Sequence, residues 1–217
     1  MKREMFAAPR ITVLCALSFP LLAAACGDNG TDAADQAKMQ VQITDAPSDF
    51  IQTTDIWVSR VYLQGGPGHE ADTTDTGTSG RVDLFNNPTA PFKADLMALR
   101  NGLTANLTPA TTIDAGSYKQ LRIVVDSAKV TLKSGYQFEN GTTTSVLKIP
   151  SGSSSGVKVV LNSTLTADAG TTGVLLVDLD VNQNFVLQTS GNSAAVFRTP
   201  VFTPLIKEMR RTSTPGT

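Results

Sequence analysis

From Met39 onward the chain is written in short runs whose apolar residues fall at every second position, and no long helical period interrupts them. A strand points successive side chains to opposite faces, so such runs must bury one face and wet the other. Met39-Gln-Val-Gln-Ile43 alternates in this way, and residues 55–64 are β-branched and aromatic. Within 118–126, Leu121, Ile123 and Val125 share one face, while Gln120, Arg122 and Val124 share the other. Residues 128–132, 145–149, 157–161, 173–181, 185–188 and 194–202 continue the set, separated by turn-forming Asn86-Asn-Pro88, Asp114-Ala-Gly116, Ser134-Gly135, Asn140-Gly141 and Pro150-Ser-Gly152. Residues 95–100 fit a helical turn or a short strand. One-sided strands need a second layer against which to bury their apolar faces. The expected fold is therefore all-β, an antiparallel β-sandwich. Residues 65–80, rich in Gly, Thr and Asp, read as a mobile hairpin excursion, and 208–217 as a frayed tail.

The N-terminus states where the chain goes. Lys2, Arg3 and Arg10 give a positive start, residues 11–25 are an apolar run of 15 residues, and Leu21-Leu-Ala-Ala-Ala-Cys26 closes it. The run is shorter than the ~18 residues of a spanning helix and contains Pro20. Positive start, apolar middle and small-residue end make a secretory signal. Ending in a cysteine, it resembles a bacterial lipoprotein signal, which implies that Cys26 is lipidated, with palmitate among the candidate acyl chains, and becomes the first mature residue. Ala23 departs from the leucine that this pattern prefers three places before the cysteine. Several acyl chains together, each gaining about 0.8 kcal/mol per buried methylene, anchor a protein durably in a bilayer. Gly27 is not the aspartate of an inner-membrane retention signal. The expected destination is the outer membrane of a two-membrane host, or the outer face of the cell membrane in a host with one.

The expected organisation follows: a signal over 1–25, a flexible tether over 26–38, a β-sandwich domain over 39–207 and a tail over 208–217. Of two cysteines, Cys15 leaves with the signal and Cys26 carries lipid, so the exported part has no disulfide to stabilise it. A net charge of −1 gives no electrostatic footprint for nucleic acid. One histidine and no free thiol exclude the usual zinc ligand sets.

Several segments, in order, carry a resemblance: ITDAPSD (43–49), DLMALRNG (95–102), AGSYKQLRIVV (115–125), IPSGSSSGVKV (149–159), VDLDVNQNF (177–185) and TPV (199–201). Over roughly 38–205 the chain resembles the bacterial and archaeal family catalogued as domain of unknown function 4382, usually found in exported lipoproteins. The resemblance implies a sandwich of immunoglobulin or transthyretin kind, with Greek-key connections, and no established activity.

Among candidate sites, Asp178, Asp180, Asn182 and Asn184 fall at alternate positions, which a continuous strand would project from one face. Asp45 and Asp49 could approach that face from the sheet end. Oxygen-rich sets of this kind suit Ca²⁺, so Asp45, Asp178 and Asp180 are the candidate ligand or metal residues and Ca²⁺ the candidate cofactor. The bland alternative is a solvated face, with Asp45 bonding its own turn before Pro47. Arg122, mid-strand, suggests an ion pair with one of these aspartates. Gly152-Ser-Ser-Ser-Gly156 spells the hydrolase pattern around Ser154, but a strand follows where the nucleophile turn needs a helix, and His69 precedes the serine. A Ser/Gly hairpin loop is the better reading.

Trp57 and Tyr62, five apart, point to opposite faces, so at least one belongs to the core. Tyr136 and Phe138, on one face beside Ser134-Gly135, are candidate sugar-stacking aromatics, with a hairpin-stabilising pair as the competing reading. The expected function is a membrane-anchored, extracytoplasmic, non-enzymatic binding or envelope-assembly module. Its partners would be the lipid bilayer through acylated Cys26 and a glycan or an envelope protein. The alternatives are a purely structural or adhesive surface domain and, more remotely, a hydrolase.

Overall fold

The computed structural model describes residues 35–69, 80–147, 149, 156–191, 193–202 and 205–216, all within one compact unit, Thr31–Thr217. Ser154 and the candidate lipidation site Cys26 lie outside these residues.

The strands are β1 (Gln36–Thr44), β2 (Ile51–Gln64), β3 (Val82–Asn86) and β4 (Phe92–Asp95), then a 3-10 turn (Leu96–Leu99). There follow β5 (Ala105–Asn106), β6 (Thr111–Asp114), β7 (Gly116–Tyr118), β8 (Gln120–Leu132), β9 (Gln137–Phe138) and β10 (Thr144–Leu147). Next come β11 (Val157–Val160), β12 (Leu165–Ala167), β13 (Thr171–Asp178) and a single-turn helix α1 (Val181–Asn184). The chain closes with β14 (Phe185–Val186), β15 (Val196–Phe197), β16 (Val201–Phe202) and β17 (Ile206–Pro215). Among the described residues no helix is long and apolar enough to cross a membrane.

Eleven strands form one curled sheet in the order β3-β2-β8-β11-β17-β13-β1-β5, with β4 on β2, β10 on β8 and β6 on β1. The all-β expectation holds, but the antiparallel one does not. β1 runs parallel to β13 over seven residue pairs, from Lys38 opposite Thr172 to Thr44 opposite Asp178. β11 is parallel to β17, and β9 to β15. The sheet is mixed because β1 and β13, far apart in sequence, are brought side by side by a crossover rather than by a hairpin.

Alternation builds the core. Ala37, Met39, Val41 and Ile43 of β1 are buried, and so are Leu175 and Val177 of β13, whereas Gln36, Gln40 and Gln42 keep partial exposure. On β2 the buried phase changes from Ile56 and Val58 to Val61 and Leu63; on β8 it changes from Leu121, Ile123 and Val125 to Ala128, Val130 and Leu132. The register between β2 and β8 shifts at the same places, leaving Asp126 and Ser59 as extra residues. These are β-bulges, and the Ser59 hydroxyl donates to Asp126 Oδ1 at 2.8 Å across them. What alternation alone divides into two strands, 118–126 and 128–132, is one bulged strand from Gln120 to Leu132, with Tyr118 left to β7.

Both ends of the expected domain move. β1 starts at Gln36, inside the expected tether. The expected tail is paired over 208–215: β17 runs to Pro215 and pairs with β13 from Lys207 opposite Asp178 to Pro215 opposite Thr171. Its composition misleads because only Ile206 and Glu208 are buried, and backbone pairing holds the polar remainder. Glu208 accepts from Asn162 N–H and Arg211, each at 2.9 Å. The expected excursion at 65–80 begins as packed structure too. Gly65 and Gly66 are buried, and a Cβ on Gly66 would stand 2.5 Å from the Tyr118 ring.

Candidate functional site

The parallel pair β1/β13 ends with both strands delivering a carboxylate to the same rim. Thr44 lies opposite Asp178, and the next residue along β1 is Asp45. A strand-to-loop transition fixes each. On the β1 side, the Thr44 hydroxyl bonds the carbonyls of Leu99 and Leu103, both at 2.9 Å, which ties the segment after the 3-10 turn to the rim. That turn is itself capped by Asp95, whose Oδ1 accepts from Thr54 N–H at 2.9 Å and Met97 N–H at 3.1 Å. On the β13 side, Leu179 N–H donates to Thr44 carbonyl at 3.3 Å, and the chain then turns into α1.

Asp45 is 6% exposed. Its Oδ1 accepts from Val181 N–H at 2.9 Å, but its buried Oδ2 has no hydrogen-bond partner, and neither has the buried Oδ1 of Asp178. Both residues line a cavity of about 190 Å³ with Thr44, Ala46, Gly102, Thr104, Leu176 and Met209. Burial pushes the Asp45 carboxyl up to about 7; the Val181 and Ala46 N–H groups oppose this, and the charges of Asp178 and Asp180 add to it. Asp178 is raised for the same first reason, burial, then by Asp180, while Lys207 pulls it back. Lys207 sits opposite Asp178 on β17, yet its ammonium donates to Gln183 Oε1 at 3.2 Å.

Asp180 does not share the expected strand face. β13 ends at Asp178, and Asp180 caps α1, its Oδ1 accepting from Asn182 N–H at 2.9 Å and Gln183 N–H at 3.3 Å. Its Oδ2 accepts from Gln183 Nε2 at 2.7 Å. Asn182 donates to Pro47 carbonyl at 2.7 Å and Asn184 to Asp180 and Leu205 carbonyls, so both side chains build loops. The cause lies in Asp180-Val-Asn-Gln183, an N-cap residue followed three places on by a Gln, which is a helix-start signal inside an alternating pattern. Asp49 is exposed, and its carbonyl, like that of Ser48, accepts from Lys133 Nζ. Among the described residues, no group of three or more His, Cys, Asp or Glu side chains could hold a metal ion. The rim offers two bare carboxylate oxygens, from Asp45 and Asp178.

The aromatic candidates separate. Phe138 is fully buried and belongs to the core, so it is no stacking platform. Its ring is covered because β9 pairs with β15 and brings Phe138 opposite Phe197. Tyr136 is half-buried and packs with Phe50 at 5.4 Å and Phe197 at 5.8 Å between ring centroids. These three line a groove of about 590 Å³ with Ser134, Leu187 and Thr189. Phe50 and Phe197 come from distant segments, and no sequence spacing announces them.

Tyr62 is core, and Trp57 is half-buried with the Lys93 ammonium 5.2 Å from its ring centroid. Arg122 is buried, and its Nε donates to Gln120 Oε1 at 2.9 Å rather than to the aspartates at the rim.

A family model described as Domain of unknown function (DUF4382) matches residues 36–198. No curated protein and no solved structure matches the chain.

Proposed function

The chain belongs to the family of domain of unknown function 4382, and from that membership and its N-terminal residues we propose that it is an exported lipoprotein, acylated at Cys26, whose β-domain is a non-enzymatic binding module. The observation that carries the binding role is the rim at Asp45 and Asp178, where two buried carboxylate oxygens have no hydrogen-bond partner. Buried polar atoms are nearly always paired, and an unpaired one costs about 1–3 kcal/mol. A fold that retains two beside one cavity is equipped to receive donors from outside.

The rim lies at the C-terminal end of β1, and Gln36 stands at the N-terminal end. At about 3.3 Å per residue, the strand's nine residues separate the rim from the first residue of the domain by roughly 25–30 Å. We read the two arms of the curled sheet, β1/β13 and β2/β8, as layers of an immunoglobulin- or transthyretin-like sandwich, since both send apolar side chains into one cluster.

A second reading, glycan contact, rests on the groove at Phe50, Tyr136 and Phe197, where Phe50 is 38% exposed. Its volume falls in the range of small-molecule sites.

Labelling with radioactive palmitate, followed by membrane fractionation, tests the anchor. The wild type should carry label and sediment with membranes, and Cys26→Ser should lose both properties. An unlabelled chain in the cytosol with residues 1–25 attached would refute it. A glycan array on wild type and Phe50→Ala tests the groove; signals unchanged by the substitution would remove it.

A further inference from the structure

We propose that the cleft between the ends of β1 and β13 receives a primary alkylammonium group, the bare oxygens of Asp45 and Asp178 accepting its N–H bonds. The inference rests on the reading of the domain as a binding module and names the chemistry of its ligand. Asp45 is more than nine-tenths buried, and its Oδ2 has no partner. Asp178, which lines the same cavity, has a second buried oxygen without a partner. An ammonium group is three donors and no acceptor, the complement of such a pair.

The walls decide between cations. Ca²⁺ takes about six to eight oxygens. Asp180, which would supply the third carboxylate, has both oxygens engaged by α1 and Gln183. Leu176 and Met209 instead make part of the lining apolar, which suits methylenes behind a charged head. The rim continues that character: Met209 is 56% exposed, and Leu103, between the lining residues Gly102 and Thr104, is 61% exposed. A cavity of about 190 Å³ is small for most ligands and matches the end of an alkylamine. The resident ammonium, Lys207, is engaged by Gln183.

Asp45 and Asp178 feel the charges of Asp180 and Lys207, and Arg210 stands opposite the lining residue Leu176 on β17. Because a bound cation favours ionised carboxylates, binding near neutral pH should release protons and weaken as pH falls. The same ammonium chemistry is found on a free alkylamine and on a lysine side chain, and the two are separable with probes.

The experiment titrates the full chain in detergent with n-butylamine, methylamine, Nα-acetyl-lysine amide and CaCl2, by calorimetry at pH 8 and pH 5.5. The expected result is saturable binding of at least one amine at pH 8, weakened at least tenfold at pH 5.5 and in Asp178→Asn. Preference for the lysine amide would assign a peptide source, and preference for butylamine a small molecule. Met209→Ala, at an exposed position, should keep the fold and reduce the preference for butylamine over methylamine, which keeps the test decisive if Asp178→Asn misfolds. No binding of either amine, equal binding by Asp178→Asn, or tighter binding of Ca²⁺ would overturn the proposal. Palmitate labelling is indifferent to all three results, so the anchor would stand or fall separately.

Discussion

Two of the regions that bury polar groups treat them differently. At the double bulge of β2 and β8, the extra residues Ser59 and Asp126 are bonded to each other. Beyond the end of β2, where Gly66 packs on it, the wholly buried Tyr118 spends its hydroxyl on Asp114 carbonyl at 2.8 Å, and burial, then the Asp114 charge, raises it to about 12, so it stays neutral. At the β1/β13 rim, by contrast, Asp45 and Asp178 each keep a buried oxygen without a partner. Polar burial in the first region fastens the sheet. In the second it weakens the fold and leaves chemistry available. Substitutions should therefore change stability with opposite signs in the two regions.

The largest effect belongs to the fastened region. Gly66→Ala would place a methyl 2.5 Å from Tyr118 Cε1, against a ring with no exposed surface and a bonded hydroxyl. Overpacking of this kind costs about 1–3 kcal/mol, and the immobile ring puts the cost toward the upper end. Urea denaturation should show it as a lower midpoint at unchanged slope. A Gly66→Ala protein as stable as wild type would mean that the turn after β2 is not packed on Tyr118 in solution.

Next in size, and opposite in sign, is Asp45→Asn. Asn keeps an acceptor for Val181 N–H and removes the buried charge. The folded carboxyl, at about 7, holds its proton more tightly than the unfolded one, whose ordinary value is 3.8. Its contribution is thus most favourable below the unfolded value and is lost as pH rises to about 7. Asp45→Asn should melt near wild type only below the unfolded value of 3.8, and progressively higher than wild type as pH rises toward 8. The gain should be about 1–2 kcal/mol, less than the whole shift implies because water and relaxation reduce the cost of a buried charge. A loss of stability at pH 8 would show that the carboxylate already has a partner within the protein, and the contrast between the regions would collapse.

Much of the architecture is legible in the residues, because alternation is a local signal. The phase switch in 118–132 is written in Leu121, Ile123 and Val125 giving way to Ala128, Val130 and Leu132; only its meaning, a bulge rather than a strand break, needs the partner strand. Pairing is not local. Nothing in Met39 to Ile43 says that β13 lies beside it in parallel, and that pairing is what puts Asp45 next to Asp178. Asp180 was misleading in the opposite way, since its capping signal was present but masked by the alternation of its neighbours. Thr104 and Met209, which complete the cavity, carry no pattern of their own, for they are lining only by virtue of where the sheet curls.

Tyr118→Phe has a smaller effect in the fastened region. It removes the bond to Asp114 carbonyl without changing packing, and should cost about 1 kcal/mol at every pH from 5 to 8. The matching change at the bulge, Ser59→Ala, should cost somewhat less, about 0.5–1 kcal/mol. Its partner Asp126 is exposed, so water can replace the lost donor. Denaturation of Ser59→Ala, Asp126→Ala and the double variant would isolate the pair. Single losses that exceed the double loss when summed would establish the bond across the bulge. Strict additivity would mean that the backbone alone holds the bulge, and that this region is fastened by register rather than by its polar side chains.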